Sequence, residues 1–560
     1  MFKTLGITNS INSSAALFFD GNLVSAVSEE SFSRKKNDDG FPFESINYIL
    51  KKNKIKCLNE IDCVTYSWYK GYTPEVLKNI LQRYKLELKK NKKNIKIFEN
   101  RLDVEIKRDK KKRQEIDIWI KKNRLENKFL DFYHHEGHAL SATLFSPFNK
   151  SLCVTCDARG DFESLVIWDF DRKRKNCLKK ILSIPSNDSL GFFYARITGL
   201  LGFKPNRHEG KITGLAAYGD SRKTLSLMKK MISIKKDKLI GNNGDYFKPF
   251  FKPYSKKILK EIKKYKKEDI AAGAQKHLED ILKSLVRYNI GKRKYLCLAG
   301  GVFSNVKLNY ELKKLKTVKR IFVQPQMGDG GLCLGSAAGF LHKNGFKINS
   351  LKNCKIGFQN NPSEIIKLIT KYRLKEIKSN KVGYIINSFI QGKVLGIIKG
   401  KMEFGPRALL NRSIIYKTSD VTCNDWLNKR MKRTEFMPFA PVTTEKLAKK
   451  SFLNFDQNDP TMQFMTSTIL CKEIFKKKSP AVCHVDNTAR PQIIFQKDDN
   501  FMYKLIQEWN KKTGELSLIN TSFNSHEEPI VRTYEDGLKE FKKGVIDLIM
   551  LENRLFEKRK

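Results

Sequence analysis

Apolar residues alternate with polar turns over the first 48 residues of the chain. The runs FKTLGIT and AALFFDGNLVSAVSEE predict strands, with a tight turn at Asp20 and Gly21. A further strand is predicted at IDCVTYSW. From Thr73 to about Lys128 the apolar positions instead recur at helical spacing, between lysine-rich stretches. We interpret this region as a solvated helical insertion, with a binding arm as the alternative. The helical spacing is carried by Leu77, Ile80, Leu81, Tyr84 and Leu88.

Strands and helices alternate over residues 268–345. The pattern predicts a helix at DIAAGAQKHLEDILKSLVRYN, a strand at KYLCLAGG, a helix from about Ser304, a strand at RIFVQP and a helix from Leu332. This alternation indicates an α/β domain. Residues 346–362 are polar and end in Pro362, which predicts a linker. The helix SEIIKLITKY and the strand GKVLGIIKG then begin a second α/β domain.

The composition narrows the class of protein. The chain carries 108 Lys and Arg against 59 Asp and Glu, a formal net charge of +49. Such a charge is typical of nucleic-acid-binding proteins, but the lysines are spread along the chain and no nucleic-acid-reading motif accompanies them. We therefore do not expect nucleic acid as the principal partner. No run of about 18 apolar residues is present and the first residues predict a strand, so we expect a cytoplasmic protein without a membrane span. The 11 cysteines lie mostly in apolar runs, which predicts reduced thiols.

Histidines are concentrated in one short segment, DFYHHEGHALSATLF. If this segment is helical, His134 and His138 leave the same face one turn apart and can bind one metal ion. Asp131 precedes the apolar positions and is a candidate N-cap. Surface histidines at the start of a helix are the alternative.

Two acidic loops supply further candidate metal ligands. Asp157 ends the predicted strand SLCVTCD, and a turn leads from it into a second strand, FESLVIWDF. Asp329 follows the strand RIFVQP, at a strand-to-helix turn where ligands collect in α/β folds. Together with His134 and His138 they form a mixed nitrogen and oxygen site. Such a site suits iron(II), manganese or zinc better than magnesium or calcium, and the sequence does not choose among these metals.

Glycine-rich turns beside predicted strands indicate phosphate binding. Gly300 and Gly301 follow a buried strand and precede a helix, one strand before the loop that contains Gly330. The charged cluster that ends in Lys211 is flanked by glycines, which indicates close approach of the backbone to a ligand. A loop between core helices is the alternative for that cluster.

The second predicted domain carries several cationic motifs. They are KMEFGPRALLNRSI with Arg407 and Arg412, KRMKRTEFMPFAP with Lys432 and Arg433, HVDNTARPQ with Arg490, and LINTSFNSHEEPIV with hydroxyl and amide side chains. Guanidinium groups bind phosphate through paired hydrogen bonds, so these motifs favour a phosphorylated small molecule. The alternative is that each arginine closes a structural ion pair.

The ordered motifs resemble those of the O-carbamoyltransferases of nodulation-factor and antibiotic biosynthesis. The matching pieces span nearly the whole chain: SSAALFFDG, EESFSRKKNDDGFP, HHEGHA, EGKITGLAAYGD, LAGGVFSNVKLN, GDGG, MEFGPRALLNRSI, EFMPFAP, HVDNTARPQ and LINTSFNSHEEPIV. The resemblance implies an α/β protein of two domains. Residues 1–345 are expected to form an actin-like ATPase (ASKHA) domain with the Lys-rich insertion near 75–128. Residues 363–560, after a linker at 346–362, are expected to form a YrdC-like domain.

The resemblance also implies a reaction. The C-terminal domain would form carbamoyl adenylate from carbamoyl phosphate and ATP. The N-terminal domain would then transfer the carbamoyl group to a hydroxyl of a small molecule, a sugar or a specialised metabolite, near a bound iron(II). Magnesium could accompany ATP, and a homodimer is left open. Two alternatives are a tRNA threonylcarbamoyl-type modifying relative and a nucleotide-binding protein without transfer activity.

Site residues follow from the resemblance, position by position. The implied metal ligands are His134, His138, Asp157 and Asp329. The implied nucleotide contacts are Gly300, Gly301 and Asn305, to which the glycine-rich and cationic motifs add Lys211, Gly330, Arg407 and Arg433. Around carbamoyl phosphate and ATP the implied residues are Lys432, Arg490, Asn520 and Ser522. Ile11 stands where the family has a histidine thought to deprotonate the acceptor, so His135 and His208 are candidate replacement bases. Asn37 and Glu528 also depart from the family pattern.

Overall fold

The computed structural model describes residues 1–68, 92–242, 245–247, 254–433 and 438–559. The chain divides into two compact units, residues 1–26 with 39–351 and residues 27–38 with 352–560. The predicted helical positions from Leu77 to Leu88 lie outside the described residues. Among the described helices, none is both long enough and apolar enough to cross a bilayer.

The first unit contains two five-stranded sheets with the same internal order. The first sheet runs β3-β2-β1-β4-β5 and the second β12-β11-β6-β7-β8. In each, the central strand is antiparallel to the strand that follows it in sequence and parallel to the strand reached after the helical crossover. This duplication confirms the expected actin-like arrangement. The strands are β1 Lys3–Thr8, β2 Ser14–Phe19, β3 Asn22–Ser28, β4 Cys63–Tyr66, β5 Phe129–Asp131, β6 Lys150–Gly160, β7 Glu163–Asp171, β8 Leu178–Pro185, β9 Ile232–Lys235, β10 Lys238–Gly241, β11 Tyr295–Ala299 and β12 Arg320–Val323.

Helices cover both sheets of this unit, because long apolar stripes on them pack against buried strand residues such as Leu152 and Leu298. The two helices that follow the last strand of each sheet, His134–Thr143 and Leu332–Lys343, also pack on each other. The other helices are Phe43–Lys52, Lys92–Lys122, Leu190–Leu200, Glu209–Leu215, Leu225–Met231, Lys256–Ile262, Lys267–Asn289 and Val306–Lys313.

The second unit is an α/β domain built on one eight-stranded mixed sheet, in keeping with the expected α/β class. Its strand order is β14-β24-β23-β15-β17-β22-β18-β21, and its apolar core lies between this sheet and helices such as Asn500–Thr513. The strands are β13 Lys355–Gln359, β14 Leu374–Ile377, β15 Leu395–Ile398, β16 Lys401–Glu403, β17 Arg412–Lys417, β18 Ala440–Thr444, β19 Ile469–Leu470, β20 Thr488–Ala489, β21 Gln492–Ile494, β22 Leu518–Ser522, β23 Leu548–Leu551 and β24 Arg554–Lys558. The helices are Glu30–Ser33, Glu364–Lys371, Lys381–Ile390, Cys423–Arg430, Glu445–Ser451, Pro460–Gln463, Glu473–Lys478, Asn500–Thr513 and Tyr534–Lys542.

The boundary between the two units differs from the sequence prediction in two ways. Residues 27–38 belong to the second unit rather than to an unbroken first domain, because Arg34 donates hydrogen bonds to the carbonyls of Pro529 and Ile530. The predicted linker contains a strand, β13, which pairs antiparallel with β16. Its five polar and apolar residues are too few for a clear period, so backbone pairing defines the strand.

All of the cysteines are free thiols, and all but Cys57 and Cys483 are buried, as predicted for reduced packed thiols. Two residues separate Cys153 from Cys156 in the chain, a spacing found in redox pairs. They lie three positions apart on β6, so their side chains point to opposite faces of the sheet.

Candidate functional site

The helix predicted from the histidine segment is present and begins at His134. Asp131 does not cap it, so that prediction is wrong. Asp131 ends β5 and accepts a hydrogen bond from the Arg113 guanidinium. The Asp161 carboxylate supplies the cap instead, accepting from the His134 backbone N–H at 2.6 Å. Asp161 lies at the tip of the β6–β7 hairpin, so its role depends on tertiary structure.

The four predicted metal ligands converge on one point in the first unit. Their ligand atoms all lie within 4.8 Å of one another. The Nε2 atoms of His134 and His138 are 3.1 Å apart, and both rings are completely buried. His138 Nε2 lies 3.3 Å from Asp157 Oδ2 and 3.4 Å from Asp329 Oδ1. His134 Nε2 lies 3.6 Å from the same Asp329 oxygen.

Backbone and hydroxyl donors orient the two carboxylates. Asp157 accepts from the N–H groups of Ala158 at 2.7 Å and Gly301 at 3.1 Å. The second oxygen of Asp329 accepts from the Ser10 hydroxyl. Close packing holds the His134 ring, since a Cβ at Gly160 would fall 2.0 Å from it. The ligand atoms therefore sit in a preformed arrangement.

Proton affinities in the cluster match a cation-binding site. Burial lowers the pKa of His134 well below its usual value, and His138 and His135 lower it further. Burial also opposes a charge on His138, but hydrogen bonds to Asp157 and Asp329 outweigh it and raise its pKa to about 9. The two carboxylates thus stabilise a positive charge beside His138 Nε2. Two imidazole nitrogens and two carboxylate oxygens fit a divalent transition metal there.

His135 is not a member of the ligand cluster. Its Nδ1 lies 2.9 Å from the Thr155 hydroxyl, and its ring is completely buried. Burial lowers its pKa to about 4. Within the described part of the chain, its Nε2 has no hydrogen-bond partner.

The predicted nucleotide loop adjoins the ligand cluster. Gly300 has φ of +101°, and a Cβ there would lie 2.2 Å from the Cys156 carbonyl oxygen. Only glycine meets both conditions. A Cβ at Gly330 would likewise fall 2.9 Å from the Asn12 carbonyl oxygen.

Both polar atoms of the Asn305 side chain form hydrogen bonds within the protein. Its Oδ1 caps the helix Val306–Lys313 by accepting from the Leu308 N–H, and its Nδ2 donates to Gln275 at 2.8 Å. Gln275 in turn binds Glu279 and Tyr194. Lys211 is buried on the helix Glu209–Leu215. Gln275, Glu279 and Tyr194 were not predicted, because neither Lys267–Asn289 nor Leu190–Leu200 carries a local mark of a polar network.

In the second unit, Arg433 organises the end of β22. Its guanidinium donates to the Thr521 hydroxyl at 3.0 Å, the Ser522 hydroxyl at 3.0 Å and the Asn524 side-chain oxygen at 2.6 Å. Asn520 lies two residues before Ser522 on β22 and is buried. Its amide donates to the Gln492 side-chain oxygen at 2.6 Å and to the Ala408 carbonyl at 3.1 Å. Four motifs far apart in sequence therefore meet around β22.

The remaining predicted cations differ in their surroundings. Burial lowers the pKa of Arg407 to about 10, so its charge is poorly solvated. Lys432 is exposed with φ of +56°, and Arg490 is partly buried between β20 and β21. Arg412 was expected beside Arg407 at the anion site, but its buried guanidinium donates to main-chain carbonyls, including those of Lys399 and Asn411 at 2.8 Å. It is a structural arginine of β17.

Family models match most of the chain. The carbamoyltransferase N-terminus model matches residues 3–338 and the carbamoyltransferase C-terminus model matches residues 386–558. An uncharacterized protein of Methanocaldococcus jannaschii is 32% identical over 99% of both chains. The nodulation protein NolNO of Sinorhizobium fredii is 29% identical over 97% of this chain and 78% of that protein.

Solved structures are more distant. Component A of the Acidaminococcus fermentans (R)-2-hydroxyglutaryl-CoA dehydratase is 15% identical, with a TM-score of 0.35, over 61% of this chain and 99% of that one. Full-length HypF is 13% identical, with a TM-score of 0.30, over 61% of this chain and 55% of that one. We draw no functional conclusion from similarity at this level. The two family models together account for both units, and the chain therefore belongs to the carbamoyltransferase family of enzymes.

Proposed function

We propose that this carbamoyltransferase uses ATP and carbamoyl phosphate to form carbamoyl adenylate in its second unit. We propose that its first unit then carbamoylates a hydroxyl of a small molecule, a sugar or a specialised metabolite. The observation that carries this proposal is the convergence of His134, His138, Asp157 and Asp329 within 4.8 Å in one unit. The cationic motifs gathered in the other unit support the adenylating half.

The adenylating half needs groups that neutralise phosphate oxygens. Water hydrolyses carbamoyl phosphate to carbamate and phosphate. A carbamate oxygen then attacks the α-phosphorus of ATP, and pyrophosphate departs. Negative charge develops on the departing phosphates, which cations can stabilise. Arg433 holds the end of β22 in shape, and Arg407 offers a poorly solvated charge in the same unit. Lys432, Arg490, Asn520 and Ser522 are proposed contacts for the two phosphate-bearing substrates.

The transfer half-reaction needs a bound acceptor and a base that takes the proton of the acceptor hydroxyl. The acceptor oxygen bonds to the carbamoyl carbon as the bond to AMP breaks, and the acceptor hydroxyl loses a proton. A divalent metal, iron(II) or another transition metal, supplies Lewis-acid polarisation when bound. His134, His138, Asp157 and Asp329 would hold it, while Ser10 and Gly301 keep the carboxylates oriented. His135, whose Nδ1 contacts Thr155, is the proposed proton acceptor in place of the family histidine.

Pyrophosphate release from ATP tests the first half directly. The protein is loaded with iron(II) under anaerobic conditions and assayed with and without carbamoyl phosphate. We expect release that depends on carbamoyl phosphate. ATP binding without any release, or release that ignores carbamoyl phosphate, would contradict the adenylating mechanism.

A nucleotide-binding protein without transfer activity is the second candidate, because Ile11 cannot accept a proton. This candidate predicts that the protein binds ATP but carbamoylates no acceptor. Replacing Ile11 by His distinguishes the two. Under the second candidate, wild-type protein transfers no carbamoyl group and Ile11→His does. Under the first candidate, wild-type protein already transfers the carbamoyl group.

A further inference from the structure

One face of the lysine-rich helix Lys92–Lys122 is buried, against the expectation of a solvated insertion. Leu102, Glu105, Asp109 and Ile116 are each exposed by 6% or less. They follow one another at helical spacing. Two carboxylates thus face the protein interior on a helix whose outer face is rich in lysine. Buried carboxylates are costly unless they bind something, so their partners are informative.

The partners of this buried face belong to the segments that carry the metal ligands. Asp109 receives paired hydrogen bonds from Arg159 at 2.7 and 2.8 Å, and Arg159 lies two residues after Asp157. Asn9 donates to the Lys112 carbonyl at 3.1 Å, and its neighbour Ser10 donates to Asp329. The helix therefore forms one wall around the ligand cluster.

Glu105 connects the helix to a buried turn at Ser186–Asp188. The Ser186 hydroxyl donates to Glu105 at 2.8 Å, and the Ser189 hydroxyl donates to the Asp157 carbonyl at 3.2 Å. Asn187 lies between these two anchors and is completely buried. Within the described residues, neither its amide nitrogen nor its amide oxygen has a hydrogen-bond partner. A buried amide of this kind normally binds a ligand or an ordered water.

Trp68 adds an aromatic surface at the same wall. Its ring centroid lies 4.8 Å from that of His134, and the Arg159 guanidinium carbon lies 5.8 Å from its ring. The Arg159 charge is balanced by Asp109, so this wall offers no net positive charge for an anion. An amide, a carboxylate and an indole together suit a neutral molecule rich in hydroxyl groups.

We propose that the Lys92–Lys122 helix and the Ser186–Asp188 turn form the acceptor-binding wall of the transfer site, with Glu105 and Asn187 positioning a neutral polyhydroxylated acceptor. The Glu105 carboxylate accepts a hydrogen bond from one acceptor hydroxyl, and the Asn187 amide pairs with another. Asp109 and Arg159 keep the wall in place. This inference rests on the proposed carbamoyl transfer to a hydroxyl and names the residues that select the acceptor.

Saturation-transfer NMR with three probe sugars tests the wall. The probes are methyl glucoside, glucosamine and glucuronate, which are neutral, cationic and anionic. The proteins are wild type, Glu105→Gln, Asn187→Ala and the matched control Asp103→Asn, which changes an exposed carboxyl on the same helix. Thermal melting checks folding, and Asn187→Ser replaces Asn187→Ala if the latter melts early. Pyrophosphate release reports the other half-reaction in every variant.

We expect the neutral sugar to give the strongest signal in wild type and Asp103→Asn. We expect its affinity to fall about tenfold in Glu105→Gln and Asn187→Ala, the usual effect of one lost hydrogen bond. Pyrophosphate release should stay unchanged. Unaltered sugar binding in both variants, preference for a charged sugar, or no sugar binding by a wild-type protein that releases pyrophosphate would each overturn the acceptor wall. Sugar binding without pyrophosphate release would overturn the proposed function instead.

Discussion

The Asp157 carboxylate oxygen that lies 3.3 Å from His138 Nε2 also accepts a hydrogen bond from the Gly301 N–H at 3.1 Å. This one oxygen atom of Asp157 thus contacts both the predicted nucleotide loop and a histidine of the ligand cluster. A change in the loop backbone should therefore alter the ligand cluster, although the loop contributes no candidate ligand of its own.

Replacing Gly300 by Ala should weaken metal binding and destabilise the first unit together. The new Cβ would meet the Cys156 carbonyl at 2.2 Å, and alanine disfavours a φ of +101°. We expect a loss of about 1–3 kcal/mol in unfolding free energy. Thermal melting and metal content per chain measure the two effects.

Gly328→Ala is the matched control for that change, because a Cβ at Gly328 meets nothing within 4 Å. It should retain wild-type stability and metal content. Equal losses in both variants would show that the Gly300 loop is not coupled to the ligand cluster through Gly301.

The buried Glu279 should make stability depend on pH. Burial raises its pKa from 4.5 to about 7, and the folded state therefore holds this proton more tightly than the unfolded state. Stability from this group is fully present below pH 4.5 and falls as pH rises toward 7. Glu279→Gln removes this loss, so the variant should exceed wild type by about 2–3 kcal/mol at pH 8 and match it near pH 4.5.

Denaturant unfolding at the two pH values measures the difference for Glu279→Gln. Asp280→Asn, on the same helix with a side chain 39% exposed, is the control and should show little pH-dependent gain. If Glu279→Gln were more stable than wild type by the same amount at both pH values, the carboxyl proton would not be the cause. The difference in unfolding free energy would then come from packing around Gln275.

Arg433→Lys should impair the adenylating half-reaction while leaving the metal site intact. The guanidinium binds Thr521, Ser522 and Asn524 at once, and a lysine ammonium cannot reproduce that planar fork. Losing two or more such hydrogen bonds predicts a fall of about a hundredfold in pyrophosphate release. Arg430→Lys changes a half-exposed arginine paired with Asp547 and serves as the control. Comparable activity in the two variants would remove Arg433 from the proposed site.

The local sequence was sufficient to predict the parts of the site that follow from short-range spacing. His134 and His138 lie one helical turn apart. Asp157 lies near the end of β6 and Asp329 follows β12, and both strands run parallel to β11. The Asp161 cap was missed because it comes from a hairpin 27 residues away. Arg412 was misassigned because the Lys399 carbonyl, which its guanidinium binds, becomes a neighbour only when β15 and β17 pair.

The buried face of the Lys92–Lys122 helix was missed for a different reason. Its lysines dominate the composition, and its inward positions, two of them acidic, give only a weak apolar period. Glu105 and Asp109 look like ordinary surface acids until Ser186 and Arg159 are seen beside them. Polar burial leaves no hydrophobic signature in a sequence.

The central claim is that carbamoyl activation and the metal site are separate functions of the two units. His138→Ala tests it most directly, with His342→Ala as a control outside the ligand cluster. Protein is incubated with ATP and carbamoyl phosphate labelled in the carbamoyl group, quenched, and assayed for labelled carbamoyl adenylate and for bound metal. We predict that His138→Ala loses metal but forms carbamoyl adenylate as fast as wild type and His342→Ala. Absence of labelled carbamoyl adenylate from wild-type protein that binds ATP would contradict the account, as would its loss from His138→Ala alone.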